Sequence, residues 1–360
     1  MMLTARNLLT ALMMTSLSLM VACGDDDDDD TADGGMEMDA EIDAAADAST
    51  IEAGTIADLL TTSTKYNFSM LLDAIDTANL LALVDEETDG PLTVFAPSND
   101  ATGIDMLPTA AADLATAIGY HVVAGDLTPD ETTFLPTSAT DAAGNNYSLY
   151  VWVDNTGTSP VITLNSQMGD AVVYTVVDTI DANNGVIHVI DRVLDVPNIA
   201  EMATAAGFTE LLDAVGNSAG EGLTDIAGLL GDDADVITLL APNNAAFLAA
   251  ETALGGDLEV EFTAAEINSI LQLHVLDLSG TAPVLAADVP NGTVTTANGE
   301  DLTTTAENLT ADPMVQATFA GDGNDSAATV VAAGKDIVVE NGVIHEINAV
   351  LLPAPPSSDK

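Results

Sequence analysis

The side chains able to do chemistry are few in kind: four histidines, one cysteine and 58 carboxylates, against five Lys and Arg. The histidines occupy two pairs of repeat-equivalent positions, His121 with His274 and His188 with His345. A zinc site needs three or four converging ligands, and neither HExxH nor CxxC spacing occurs in the chain. His188 and His345 lie inside apolar runs, where an imidazole is expected to be buried and hydrogen-bonded rather than ligating. Nucleophilic catalysis has no GxSxG elbow to work from. With so many acids, close carboxylate pairs arise by chance, so none singles out a glycosidase. Gly321, Asp322, Gly323, Asn324, Asp325 and Ser326 resemble a calcium loop, but the closing Glu of an EF-hand is missing and the stretch reads as an acidic turn. The expectation is therefore no catalytic residue, no cofactor and no resident metal.

The lone cysteine, Cys23, has a different chemistry, because it can pair with no other cysteine in the chain. Arg6 precedes an apolar run over residues 8–22, broken only by small polar residues, so residues 1–22 have the layout of a signal peptide. The run is shorter than the roughly 20 apolar residues that span a bilayer. It ends Met20, Val21, Ala22, Cys23, which resembles a bacterial lipobox with Met in place of the usual Leu. Acyl chains on Cys23 would hold the protein on a lipid bilayer at ~0.8 kcal/mol per buried methylene. The expected location is the outer membrane or cell surface, with the periplasmic side as the alternative.

Six consecutive aspartates, Asp25 to Asp30, follow at once. Residues 23–54 read as a disordered acidic linker, extended by like-charge repulsion and poor in bulky side chains. The whole chain carries a formal net charge of −53, which repels nucleic acid and anionic head groups. Cations, calcium among them, and basic partners fit that field. An apolar content of 48% is too high for a disordered protein, so the remaining 300-odd residues must fold.

The elements that position these residues come twice. Ile56, Ala57, Asp58 and then Phe68, Leu71, Leu72, Asp73, Ala74, Ile75 are echoed by Ile199, Ala200, Glu201 and then Phe208, Leu211, Leu212, Asp213, Ala214, Val215. The apolar spacing places one stripe on a core-facing helix in each copy. Next, Leu92, Thr93, Val94, Phe95, Ala96, Pro97, Ser98, Asn99 matches Ile237, Thr238, Leu239, Leu240, Ala241, Pro242, Asn243, Asn244. This reads as a buried strand stopped by a proline turn, with Ser or Asn then offering a side-chain cap. Asn99 and Asn244 suit a helix cap or local turn, with display at a partner surface as the sharper alternative. Finally, Asn184, Gly185, Val186, Ile187, His188 matches Asn341, Gly342, Val343, Ile344, His345, a hairpin turn followed by an alternating strand. Strands are also expected over 147–153 and 171–177, and helices over 109–119, ending at Gly, and over 263–271. Helices at the front and strands at the back, twice, make an α+β tandem, with copies over residues 55–197 and 198–354 and a tail over 355–360.

The strand-Pro-Asn block and the Asn-Gly-Val-Ile-His block, each present twice, resemble the two signature segments of the fasciclin domain family. The Tyr-His pair usual between them is matched by Tyr120 and His121, whereas the second copy has Leu273 before His274. Thr102 stands where the family has an aromatic, present as Phe247 in the other copy. The resemblance implies two tandem fasciclin-like domains, each a β-strand wedge with helices packed on one side, and no shared catalytic residues. It also implies adhesion, so that an extracellular or envelope polymer, or a cell-surface protein, is the expected partner. The motif residues Pro97, Asn99, Tyr120, His121, His188, Pro242, Asn244, His274 and His345 are expected to be structural. A calcium-dependent structural envelope module is the alternative, and an envelope polysaccharide or ester hydrolase ranks last.

Overall fold

The structure is a computed structural model that describes residues 54–85, 90–127, 129–167, 173–232, 236–276, 283–308, 315–320 and 327–353. Cys23, nearly all of the acidic linker, the Gly321 to Ser326 loop and the C-terminal tail lie outside the described residues.

The first copy begins with three helices, α1 (Ile56–Thr62), α2 (Ser69–Thr77) and α3 (Leu81–Asp85). Thr55 and Asp58 form a reciprocal capping box that starts α1. Leu71, Ala74 and Ile75 make the buried stripe of α2, as the spacing requires. Then come β1 (Leu92–Thr102), α4 (Ala111–Tyr120), β2 (Val122–Ala124), β3 (Thr133–Thr140), β4 (Asn146–Asp154), β5 (Val161–Leu164), β6 (Tyr174–Ala182) and β7 (Gly185–Arg192). The seven strands close into a barrel in chain order, with β7 returning parallel beside β1. α1–α4 cover one side around Phe68, Leu71, Ile75, Leu114 and Ile118, while Phe95, Tyr120, Leu149 and Leu164 fill the barrel. Burying each such large apolar side chain stabilises the fold by ~1.5–3 kcal/mol.

The second copy repeats the helical opening with α5 (Ile199–Ala206), α6 (Thr209–Asn217) and α7 (Ile226–Gly231), then β8 (Ile237–Pro242). It inserts α8 (Asn244–Leu254) and α9 (Leu258–Glu261) before α10 (Ala264–Leu273) and β9 (Val275–Leu276). The remaining strands are β10 (Gly292–Thr295), β11 (Asp301–Asn308), β12 (Val315–Ala320), β13 (Ala328–Thr329), β14 (Ile337–Val339) and β15 (Gly342–Ile347). Here β14, β15, β8 and β9 form one sheet and β10–β13 another. Two isolated bridges, Leu276 to Thr296 and Val330 to Ile347, tie them together.

Four expectations need correcting. β1 does not stop at Pro97: its register against β7 shifts after Pro97 and pairing resumes at Thr102 with Arg192. The reason lies one residue on, where the Ser98 hydroxyl accepts from Asp100 N in a local turn. Asn243, its counterpart, instead accepts from Ala246 N and starts α8, so only β8 ends at its proline. α4 does not end at Gly119 but runs one residue past it. A Cβ on Gly119 would lie 3.1 Å from Ala139 N, so this glycine serves close packing of α4 on β3. β7 does not alternate, since residues 185–190 are all buried. Ile187 and Val189 face the helices while Ile190 faces the barrel interior, so both sides of the strand are covered. Finally, the strand expected from Ala171 is described only from Tyr174 and extends to Ala182.

The described residues of the two copies pack on each other within one compact unit. Tyr150 of β4 belongs to the core of the second copy, with Phe134 and Trp152 packed beside it. Val338 N on β14 donates to the Ser148 hydroxyl across a buried 3.0 Å bond. Gln167 Nε2 donates to Ala205 O, and Glu340 N to Pro197 O.

Candidate functional site

The histidines are held rather than offered. His121 caps the C-terminal end of α4, and its Nδ1 lies 2.7 Å from Ala117 O while its Nε2 accepts from Leu194 N. Because Nε2 accepts, the proton sits on Nδ1 and donates to that carbonyl. His274 repeats the arrangement at the end of α10, with Ile270 O and Leu351 N as partners. Burial pushes both rings down to about 4, so they are neutral at physiological pH. His188 Nε2 donates to Leu127 O, its Nδ1 meets the Thr179 hydroxyl, and its ring stacks on Phe95. His345 Nε2 donates to Val284 O and its Nδ1 accepts from Asp336 N. Burial lowers both of these as well. Every imidazole nitrogen is thus spent on the fold. Among the described residues no group of three or more His, Cys, Asp or Glu is placed to hold a metal ion.

The remaining polar motif residues also bond within the fold, Tyr120 fully buried, Asn99 partly so and Asn244 at the surface. Tyr120 donates to Ser148 O and accepts from Asn165 Nδ2, and burial raises its hydroxyl far above the usual phenol range. Asn99 accepts from Met70 N and donates to the Ser69 hydroxyl. It therefore caps α2, a helix about thirty residues earlier, whose own cap residue Phe68 has no side chain to do so. Asn244 does the same for α6, accepting from Glu210 N and donating to Gly207 O. Pro97 and Pro242 lie in the parallel strand pairs β1–β7 and β8–β15, opposite Ile190 and Ile347.

Two pairs of residues matter more than their motif position suggested. Asn184 is buried, accepts from Ile56 N and donates to Val84 O, so it ties the start of α1 and the end of α3 to the β6–β7 turn. Asn341 repeats this with Ile199 N and the carbonyls of Leu230 and Asp232. Gly185 and Gly342 come next in each turn with φ near +145° and +149°, outside the range of ordinary side chains. A Cβ there would fall 1.8 Å from Leu92 O or 1.9 Å from Ile237 O. Asparagine before glycine was visible as a turn signal, but the tertiary partners were not.

The described surface offers concavity between the copies. A cleft of about 520 Å³ is lined by Asp141, Tyr147, Val236, Pro283, Val339 and Glu340, among others. Tyr147 is half-buried, and burial together with the charges of Asp141 and Glu340 raises its pKa. A second hollow, of about 30 Å³, lies among Phe247, Leu258, Ile267, Ile270 and Leu271, room for about a water molecule or two.

Two α+β units in tandem, each centred on a parallel strand pair with a Gly at its start and a neutral histidine within it, define the class. The fasciclin domain model matches residues 66–197 and again 202–353, and the chain belongs to the fasciclin domain family. An uncharacterized protein of Synechocystis sp., sll1735, is 33% identical over 136 residues, covering 35% of this chain and 88% of that protein. The transforming growth factor-beta-induced protein ig-h3 of Sus scrofa is 27% identical over 283 residues, 74% of this chain but only 35% of that protein. Among solved structures, a FAS1 domain pair from the insect cell adhesion molecule fasciclin I is similar at 19% identity and a TM-score of 0.47, covering 83% of this chain and 97% of that one. No described helix is long and apolar enough to cross a membrane.

Proposed function

We propose that this chain is an exported lipoprotein, anchored through Cys23, whose paired fasciclin domains mediate adhesion by binding an extracellular or envelope polymer or a cell-surface protein. The observation that carries this reading is the doubled fasciclin match over residues that pack as one unit. The four histidines and Tyr120 are consumed by internal hydrogen bonds, which leaves recognition to other, exposed residues. The lipobox-like run ending at Cys23 and the acidic stretch after it support anchoring with a stand-off spacer.

Deleting the gene should reduce cell aggregation or matrix retention, and re-expression should restore it; unchanged adhesion under several growth conditions would remove the reading's main content. Intact-mass analysis of membranes should show a mature species beginning at Cys23 with added acyl mass. That species should disappear in Cys23→Ala, and a freely released, unacylated product would shift the proposal to a secreted matrix component.

A further inference from the structure

The cleft between the copies has the makings of a side-chain receptor. Its volume of about 520 Å³ lies within the range of ligand-holding clefts, which favour domain boundaries. Val236, Pro283 and Val339 give it an apolar wall from the second copy. Tyr147 lines it from the first copy, and its ring makes an edge-on contact with the buried Tyr120, centroids 6.5 Å apart. Two acidic residues, Asp141 and Glu340, complete the lining. Asp141 accepts from Ala143 N, Asn145 N and Asn145 Nδ2, which locks its turn. The main chain at Glu340 is held by the bond from its N to Pro197 O. Their charges are felt at the phenol, whose ionisation they oppose.

None of the chain's described basic side chains lines this cleft. Lys65 pairs with Asp178 at 2.6 Å, Lys335 with Asp336 at 3.9 Å, and Arg192 lies over Tyr174. A partner can bring the positive group that this lining suits, and a chain of net charge −53 draws basic partners in. An aromatic face with apolar walls desolvates the stem of a long basic side chain while carboxylates at the rim take its head. Guanidinium fits best, being planar, weakly hydrated and able to meet both an aromatic face and carboxylates.

We propose that the cleft between the two fasciclin domains receives an arginine side chain presented by a partner protein. This deepens the adhesion reading and rests on it for the partner's identity. Sugar recognition by the same aromatic ring is the competing outcome.

The test titrates the full chain with N-acetyl-Gly-Arg-Gly-amide, a probe with a single charge, monitored by NMR of the tyrosine rings. Saturable shifts at Tyr147 are expected, with no response to the Gly-Gln-Gly analogue. Glu340→Gln keeps the backbone bond to Pro197 and should weaken binding about fivefold or more. Tyr147→Leu should abolish it, with thermal melting confirming that the variant folds. Asp257→Asn, which is not among the cleft-lining residues, should leave it unchanged. Equal weakening in Asp257→Asn would mean diffuse attraction and overturn the proposal, as would Tyr147 shifts with cellobiose but not with the peptide. If cells carrying Glu340→Gln adhere normally and the peptide does not bind, the arginine site fails while the adhesion reading stands. If the peptide binds and gene deletion leaves adhesion intact, the adhesion reading fails and the site stands.

Discussion

In the first copy seven strands close into one barrel, whereas in the second the equivalent strands form two four-stranded sheets joined by two isolated bridges. The second copy also carries α8 and α9 where the first continues β1 past its proline. The features both share are narrower than the fold as a whole: the β1–β7 and β8–β15 parallel pairs, a positive-φ glycine at the start of each returning strand, the buried Asn before it, and a neutral His at the end of α4 or α10. The shared features are those that satisfy backbone groups in the interior, where an unpaired amide or carbonyl is expensive.

The hardest test of that division is Gly185→Ala against Gly342→Ala. Each puts a Cβ against a strand carbonyl, and each should cost about 4 kcal/mol or more, read as loss of soluble protein or of cooperative melting. A tolerated Gly342→Ala would show that the opened second copy relaxes around the clash. Amide hydrogen exchange sharpens the closure difference directly. The amides of β10–β13 should open sub-globally and exchange ahead of those in β3–β6, and equal protection would mean the two bridges bind the sheets as firmly as a closed barrel.

Acid should treat the copies alike. His121 and His274 are held near pKa 4 by burial, against 6.5 in the unfolded chain, so between those values the unfolded state binds more protons. Their contribution is complete above pH 6.5 and is lost as pH falls towards 4, at about 3 kcal/mol per ring. Carboxylate protonation relieves self-repulsion at the lower end, so urea unfolding between pH 7 and pH 5 is the cleanest measurement. Unequal losses in the two copies would break the equivalence of the histidines.

Smaller effects probe the contacts between elements. Ser148→Ala leaves Val338 N unpaired in the interface and should destabilise the second copy by about 1–3 kcal/mol, while loosening Trp152 as a fluorescence reporter. Asn99→Ala and Asn244→Ala should each cost about 1 kcal/mol of thermal stability, the usual worth of a cap, and a cost in one copy only would separate their roles.

Much of this was legible from residue order. The stripe on α2 and α6 follows from apolar spacing alone, and the buried character of His188 and His345 follows from the apolar runs around them. The fate of the proline motif was not. Pro97 and Pro242 precede Ser98 and Asn243, and whether that side chain bonds two or three residues ahead decides between a continued strand and a new helix. Asn99 sits where a cap for the next element would sit, yet its partners precede it by about thirty residues, a distance no local pattern reports.

By itself, then, the sequence determined the tandem α+β plan, the acidic charge and the family, because periodicity, turn chemistry and composition act over short stretches of chain. Only the tertiary structure decided which amide each buried Asn and His would satisfy, that Tyr150 would enter the other copy's core, and that Tyr147, Asp141 and Glu340 would meet around one cleft. Those pairings join residues up to two hundred positions apart, and they are chosen by which unsatisfied groups the packed core brings within hydrogen-bond reach.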